Sequence, residues 1–134
     1  VRAFLDSNVL VYAFSSDRRR DRALSIAAQG GVISAQTLNE LTNVLRRKLR
    51  QEWPTIEAAI ETVRSFFDEI VPLTASTHAA ALPLARDHGF SFLDALIIAS
   101  ALEADCDTLY SEDMQDGQVI GGLMIRNPFR GPAQ

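Results

Sequence analysis

Only one of the 134 residues is a cysteine (Cys106) and only one is a lysine (Lys48). A single thiol excludes an internal disulfide framework and a Cys-based metal cluster. His78 and His88 fall in one segment with no matching Ser and Asp pattern, which leaves no sign of a nucleophilic triad. Long apolar runs are missing too. The longest, Leu93 to Leu102, is broken by Asp94 and Ser100 and is too short to span a bilayer. The opening, with Arg2 and the early acid Asp6, does not resemble a signal peptide. A cytoplasmic protein without membrane attachment is therefore expected. Repeats, low-complexity tracts and long linkers are also absent, so residues 1–134 are expected to form a single domain with its own core.

A composition of 47% hydrophobic and 22% charged residues places the chain among ordinary globular domains. The net charge of −4, taken as a sum, argues against a nucleic-acid binder. The distribution points elsewhere. Arg18, Arg19, Arg20 and Arg22 form one basic cluster, and Arg46, Arg47, Lys48 and Arg50 form another. Arginine suits bidentate phosphate contacts. Two solvated helix faces account for the clusters equally well, and both readings stay open.

A strand is expected at about 2–5, ending at Asp6, followed by a short helix from Asn8 to Phe14. Arg18 to Gln29 reads as a helix stopped by Gly30-Gly31. Val32-Ile33-Ser34 reads as a strand. Leu38, Leu41, Val44, Leu45 and Leu49 recur at helical spacing, and Pro54 opens the next helix, where its missing N–H costs little. Ile70–Leu73 is a strand candidate, with Pro72 marking an edge or an end. Helices from Thr77 to His88 and from Leu93 to Ala104 precede strands at Thr108–Tyr110 and Leu123–Ile125. This alternation predicts an α/β fold, a three-layer α/β/α sandwich with a small, mainly parallel central sheet. Cys106 and Trp53 are expected to be packing residues.

Four acids stand beside apolar segments rather than on polar faces. Asp6 ends the first strand, and Glu40 and Asp94 lie near helix starts. Asp113 follows the Thr108–Tyr110 strand. In a parallel sheet, strand carboxyl ends and the following helix amino ends share one edge, where ligands bind. Local roles compete with convergence. Thr37-Leu38-Asn39-Glu40 and Ser91-Phe92-Leu93-Asp94 both match the capping box, Asp6 fits a helix cap, and Asp113 fits a turn. Carboxylates gathered together repel, and Mg²⁺ or Mn²⁺ removes that penalty. A set without His or Cys disfavours zinc. The chemistry that such a site supports is phosphodiester hydrolysis by metal-activated water, with no protein nucleophile. Ser7, Asn8 and Ser111 are placed to hold a carboxylate or water. Asp116 precedes Gly117, and a turn competes there with a ligand role.

Four segments, Phe4-Leu5-Asp6-Ser7-Asn8, Leu38-Asn39-Glu40-Leu41, Phe92-Leu93-Asp94-Ala95-Leu96-Ile97 and Leu109 through Gly117, occur in an order that resembles PIN-domain ribonucleases. In size and detail the chain is similar to the VapC toxins of bacterial toxin–antitoxin pairs. The resemblance implies Mg²⁺- or Mn²⁺-dependent RNA cleavage with the acidic set Asp6, Glu40, Asp94 and Asp113. It also implies homodimers and inhibition by a cognate antitoxin. Many relatives have a further acid two residues after the position of Asp113, where this chain has Gln115, with Asp116 one step later. Competing readings are a metal-dependent phosphatase, disfavoured because Asn8 stands where a second acid is needed, and an RNA-binding or assembly module of the same fold without turnover.

Overall fold

A computed structural model describes residues 1–130. Strands and helices alternate: β1 (Ala3–Leu5), α1 (Ser7–Ala13), α2 (Arg20–Ala28), β2 (Val32–Ser34), α3 (Ala35–Arg47), α4 (Trp53–Phe66), β3 (Glu69–Val71), α5 (Ala75–His88), α6 (Phe92–Glu103), β4 (Thr108–Tyr110), β5 (Val119–Ile120) and β6 (Leu123–Arg126). The sheet runs β3-β2-β1-β4-β6-β5. All pairs are parallel except the β5–β6 hairpin.

The strands are only three or four residues long in the parallel part, yet their two faces are cleanly sorted. Successive side chains point to opposite faces. Ala3, Leu5 and Ile33 pack with α1 to α4, whereas Phe4, Val32 and Leu109 pack against α6. Helices therefore cover both faces, which is the expected three-layer sandwich. α6 is buried from Ala95 to Ala101 because it lies against the sheet on one side and α5 on the other. Ala81, Ala95 and Ala99 form the small-residue seam between those helices.

Two glycines serve geometry. Gly31 (φ +124) crosses so close to the Ala3 carbonyl that an added Cβ would stand 2.5 Å from its oxygen, so glycine lets β2 enter beside β1. Gly89 (φ +73) is the left-handed cap that ends α5.

The chain order reverses at β1. The connection from β1 leads to β2 on one side, and β4 pairs with it on the other. This is the topological switch point of an open sheet, where a crevice forms beyond the strand carboxyl ends. Asp6 and Ser111, the residues that follow β1 and β4, stand at its mouth.

Several expectations shift. Strand β5 adds an antiparallel edge that two residues between glycines gave no periodicity to reveal. α3 begins at Ala35, not near Leu38, because β2 runs straight into it with Ser34 as the cap. Trp53 is half exposed (50%), so its expected packing role is corrected. Cys106 is buried, as expected of a packing residue.

Candidate active site

Asp6 is the centre of the crevice. It is 5% exposed, and it holds the N-cap position of α1, accepting from the Ser7 N–H at 2.7 Å. Its other oxygen accepts from the Ser111 hydroxyl at 2.9 Å and from Asn8 Nδ2 at 3.3 Å. Cap and buried acid are thus the same residue. Burial pushes its carboxyl up from 3.8 to about 7, opposed by the Ser111 hydrogen bond and reinforced by the charges of Glu40 and Asp94.

Glu40 lies on the second turn of α3, half-buried, and accepts from the Ser7 hydroxyl at 3.4 Å. Its pKa is raised, first by burial and then by the charges of Asp94 and Asp113. The capping-box reading of Glu40 fails, since Ser34 caps α3 and Thr37, its third residue, completes that box. Asp94 is the third residue of α6. Its N–H donates to the Ser91 hydroxyl at 3.2 Å, so the cap half of that expectation holds. Its carboxyl is raised by burial and by Asp113, against the Ser91 hydrogen bond. Asp113 is exposed and accepts from Asn8 Nδ2 at 3.1 Å.

The four acids therefore converge on one sheet edge, and each is close enough to feel at least one other. They do not close into a cage. Among the described residues, no three Asp, Glu, His or Cys side chains lie close enough to hold an ion as they stand. Asp6, Glu40 and Asp113 are instead turned toward hydroxyl and amide donors, and Asp6 and Asp113 share Asn8. Among the described residues none of the four pairs with an Arg, Lys or His. Such an all-oxygen set suits a hard divalent cation.

Asn8 joins the parts. Its amide nitrogen reaches Asp6, Asp113 and the Ser111 oxygen (3.4 Å), and its oxygen accepts from the Glu112 N–H at 3.2 Å. Asp116 stands apart. It accepts from the Asn127 N–H at 2.8 Å and lies 3.9 Å from Arg130, which makes it an anchor for the chain after β6.

Glu112 was not foreseen. It accepts from the Tyr12 hydroxyl and from Arg19 at 2.8 Å, while Arg19 also grips Asp17 at 2.8 Å and lies 4.2 Å over the Tyr12 ring. Partners a hundred residues apart leave no local signal. Of the first basic cluster, Arg19 is thus engaged and Arg22 donates to the Pro128 carbonyl, whereas Arg18 and Arg20 are exposed. In the second cluster Arg47, Lys48 and Arg50 are exposed, and Arg46 lies 5.0 Å over the Trp53 ring.

The family described as "PIN domain" matches residues 3–115. Solved structures that share the fold include three from toxin–antitoxin systems. The sarcin-ricin-loop-cleaving toxin VapC20 of Mycobacterium tuberculosis is 20% identical, with a TM-score of 0.70, covering 83% of this chain and 89% of its own. A toxin–antitoxin complex from Klebsiella pneumoniae is 26% identical at a TM-score of 0.69, covering 95% of this chain and 98% of its own. VapBC2 from Rickettsia felis, bound to a DNA fragment from its promoter, is 18% identical with a TM-score of 0.69 and the same 95% and 98% coverage. No curated protein matches the chain.

Proposed function

Because the chain belongs to the PIN domain family, we propose that it is a metal-dependent endoribonuclease, the toxin of a type II toxin–antitoxin pair. The observation that carries the reading is Asp6, a buried carboxyl raised to about 7 that faces two further acids with no basic side chain to balance them. Asp6, Glu40, Asp94 and Asp113 would hold Mg²⁺ or Mn²⁺. When bound there, the cation supplies an activated water and neutralises charge at the phosphate.

The protein's own groups do the positioning. Ser111 and Asn8 fix one oxygen of Asp6, and the Ser7 N–H fixes the other, so the carboxylate cannot rotate away from the crevice. Asn8 also ties Asp113 to Asp6. Ser7 steadies Glu40. Ser7 and Ser111 serve as donors to carboxylates, and neither has a His or Lys beside it to act as a base, which agrees with a reaction that needs no protein nucleophile. The phosphatase reading is weakened by the same geometry, because Asn8 at the position of its second acid is committed to linking Asp6, Asp113 and Glu112.

The toxin assignment draws on the toxin–antitoxin structures that share the fold, one of them at 26% identity over nearly the whole chain. It carries with it a cognate antitoxin as partner, RNA as substrate, a homodimer and a cytoplasmic site of action. Among the described residues no helix is long and apolar enough to cross a membrane.

The test is cleavage of structured RNA by purified protein with Mg²⁺ or Mn²⁺ against EDTA, beside Asp6→Asn. Cleavage is expected only with the cation, and the variant should lose more than the roughly 10–100-fold typical of a supporting hydrogen bond. Equal cleavage in EDTA and in Asp6→Asn would refute the mechanism. Expression without antitoxin should arrest growth in a manner relieved by Asp6→Asn, and equal toxicity of both forms would refute the toxin role.

A further inference from the structure

α3 carries two stripes. Thr37, Leu41 and Leu45 are buried, and the opposite side presents Gln36, Asn39, Glu40, Asn43, Arg46 and Arg47, spaced by threes and fours along the helix. The second stripe is not a generic solvated face. It starts in the acidic crevice, at Glu40, and lines two adjoining hollows. The first, of about 500 Å³, is bounded by Ser7, Glu40, Asn39, Asn43 and Leu93. The second, of about 390 Å³, is bounded by Asn39, Asn43, Arg46, Arg47 and Trp53. Asn39 and Asn43 belong to both, so the floor is continuous.

Its far end has an unusual pairing. Trp53 is 50% exposed at the first turn of α4, with the Arg46 guanidinium 5.0 Å from its ring centroid. Arg46 is steadied by donating to the Gln51 carbonyl at 3.0 Å. Among the described residues, Arg46, Arg47, Lys48 and Arg50 make no ion pair. In the other basic cluster Asp17 and Glu112 already occupy Arg19, while Arg18, Arg20 and Arg22 make no ion pair among the described residues. Neutral amides, then unpaired guanidinium groups, then an exposed indole make up a sequence of groups that complements a polyanion with aromatic bases. At 1.5 Å per residue, Arg47 lies about 10 Å along the helix from Glu40, near enough for one strand to touch both.

We propose that a single-stranded segment of the RNA substrate leaves the acidic crevice along α3, with one base stacked on Trp53 and its phosphates held by Arg46 and Arg47. Asn39 and Asn43, between the two ends, present donors and acceptors to the bases that pass over them. Trp53 is on this account a positioning and specificity residue, and the inference rests on the ribonuclease reading for its choice of ligand.

Trp53 is the sole tryptophan, so its fluorescence reports the site directly. The probes are single-stranded oligoadenylate and oligouridylate of about 12 nucleotides, within the usual range for one binding domain, titrated into the protein in EDTA so that nothing is cut. A saturable change in Trp53 emission is expected. Arg46→Ala and Arg47→Ala should each weaken binding and lower the salt slope by about 1. In anisotropy with labelled probe, Trp53→Ala should weaken binding roughly 5- to 100-fold, and Trp53→Phe, which keeps a stacking face, much less. Arg86→Ala, an exposed guanidinium on α5 paired with Asp87, is the charge-matched control and should leave binding unchanged. An unresponsive Trp53, or equal losses in Arg86→Ala and Arg47→Ala, would overturn the proposal, including the case in which this face answers only to a protein. Cleavage of the same RNA with Mg²⁺ separates the two readings. Cutting without a Trp53 response refutes the track and spares the nuclease, and a response without cutting does the reverse.

Discussion

Two groups of acids lie side by side at one end of the sheet and are handled in opposite ways. Asp17 and Glu112 share Arg19, and its hydrogen bonds hold the Asp17 carboxyl down at about 2. Asp6, Glu40 and Asp94 have no such partner, and burial with mutual repulsion raises all three. Glu112 and Asp113 are neighbours in sequence, yet one joins the arginine network and the other joins the acidic crevice. The lesson is about where counter-charge comes from. The first group is balanced within the chain and is structural. The second is costly as it stands, and on the proposed reading a divalent cation would turn that cost into binding affinity.

The contrast can be broken from the crevice side first. Asn8→Ala and Ser111→Ala remove the donors that aim Asp6, and each should lower RNA cleavage by roughly 10–100-fold while leaving the fold intact by circular dichroism. Unchanged rates would mean that Asp6 needs no orientation.

A second, smaller effect concerns pH. Asp6 ionises near 7 in the fold against an ordinary 3.8, so between these values the native state holds a proton that the unfolded chain has released. Stability of the metal-free protein should therefore fall as pH rises through that window and level off above it. Urea midpoints in EDTA at mildly acid and mildly alkaline pH test this. Asp6→Asn should flatten the dependence, and a rise in the midpoint toward alkaline pH would contradict it.

The smallest effect belongs to the balanced group. Asp17 is depressed, so its stabilising contribution is present above about 4 and is lost only as pH falls toward 2. Asp17→Asn should leave cleavage nearly unchanged and lower neutral-pH stability only modestly, because solvent still screens this half-buried ion pair. A large loss of cleavage would place Arg19 and its acids in the active site.

Much of this contrast was legible in the residues. Asp6, Glu40, Asp94 and Asp113 each interrupt an apolar pattern, and parallel topology brings strand ends and helix starts to one edge whatever the sequence distance. Local capping chemistry was harder to read. The Thr37–Glu40 pair fits a capping box by spacing, but Ser34 emerges directly from β2 and takes the cap, which frees Glu40 for the crevice. Trp53 continues the stripe of Ile56, Ala59 and Val63, yet as the first residue of α4 it extends beyond the core. The Arg19–Glu112–Tyr12 network was invisible because each contact joins distant segments through side-chain ends that no periodicity encodes.

The most direct test of the account is calorimetric titration of Mn²⁺ into metal-free protein near pH 6.5, in buffers of different ionisation enthalpy. Saturable binding with proton release is predicted, since a carboxyl raised to about 7 must lose its proton to become a ligand. Asp6→Asn should abolish both signals, and Asp17→Asn should leave both in place. Binding that is absent, or equally tight in Asp6→Asn, would contradict the central claim that the unbalanced acids are a cation site.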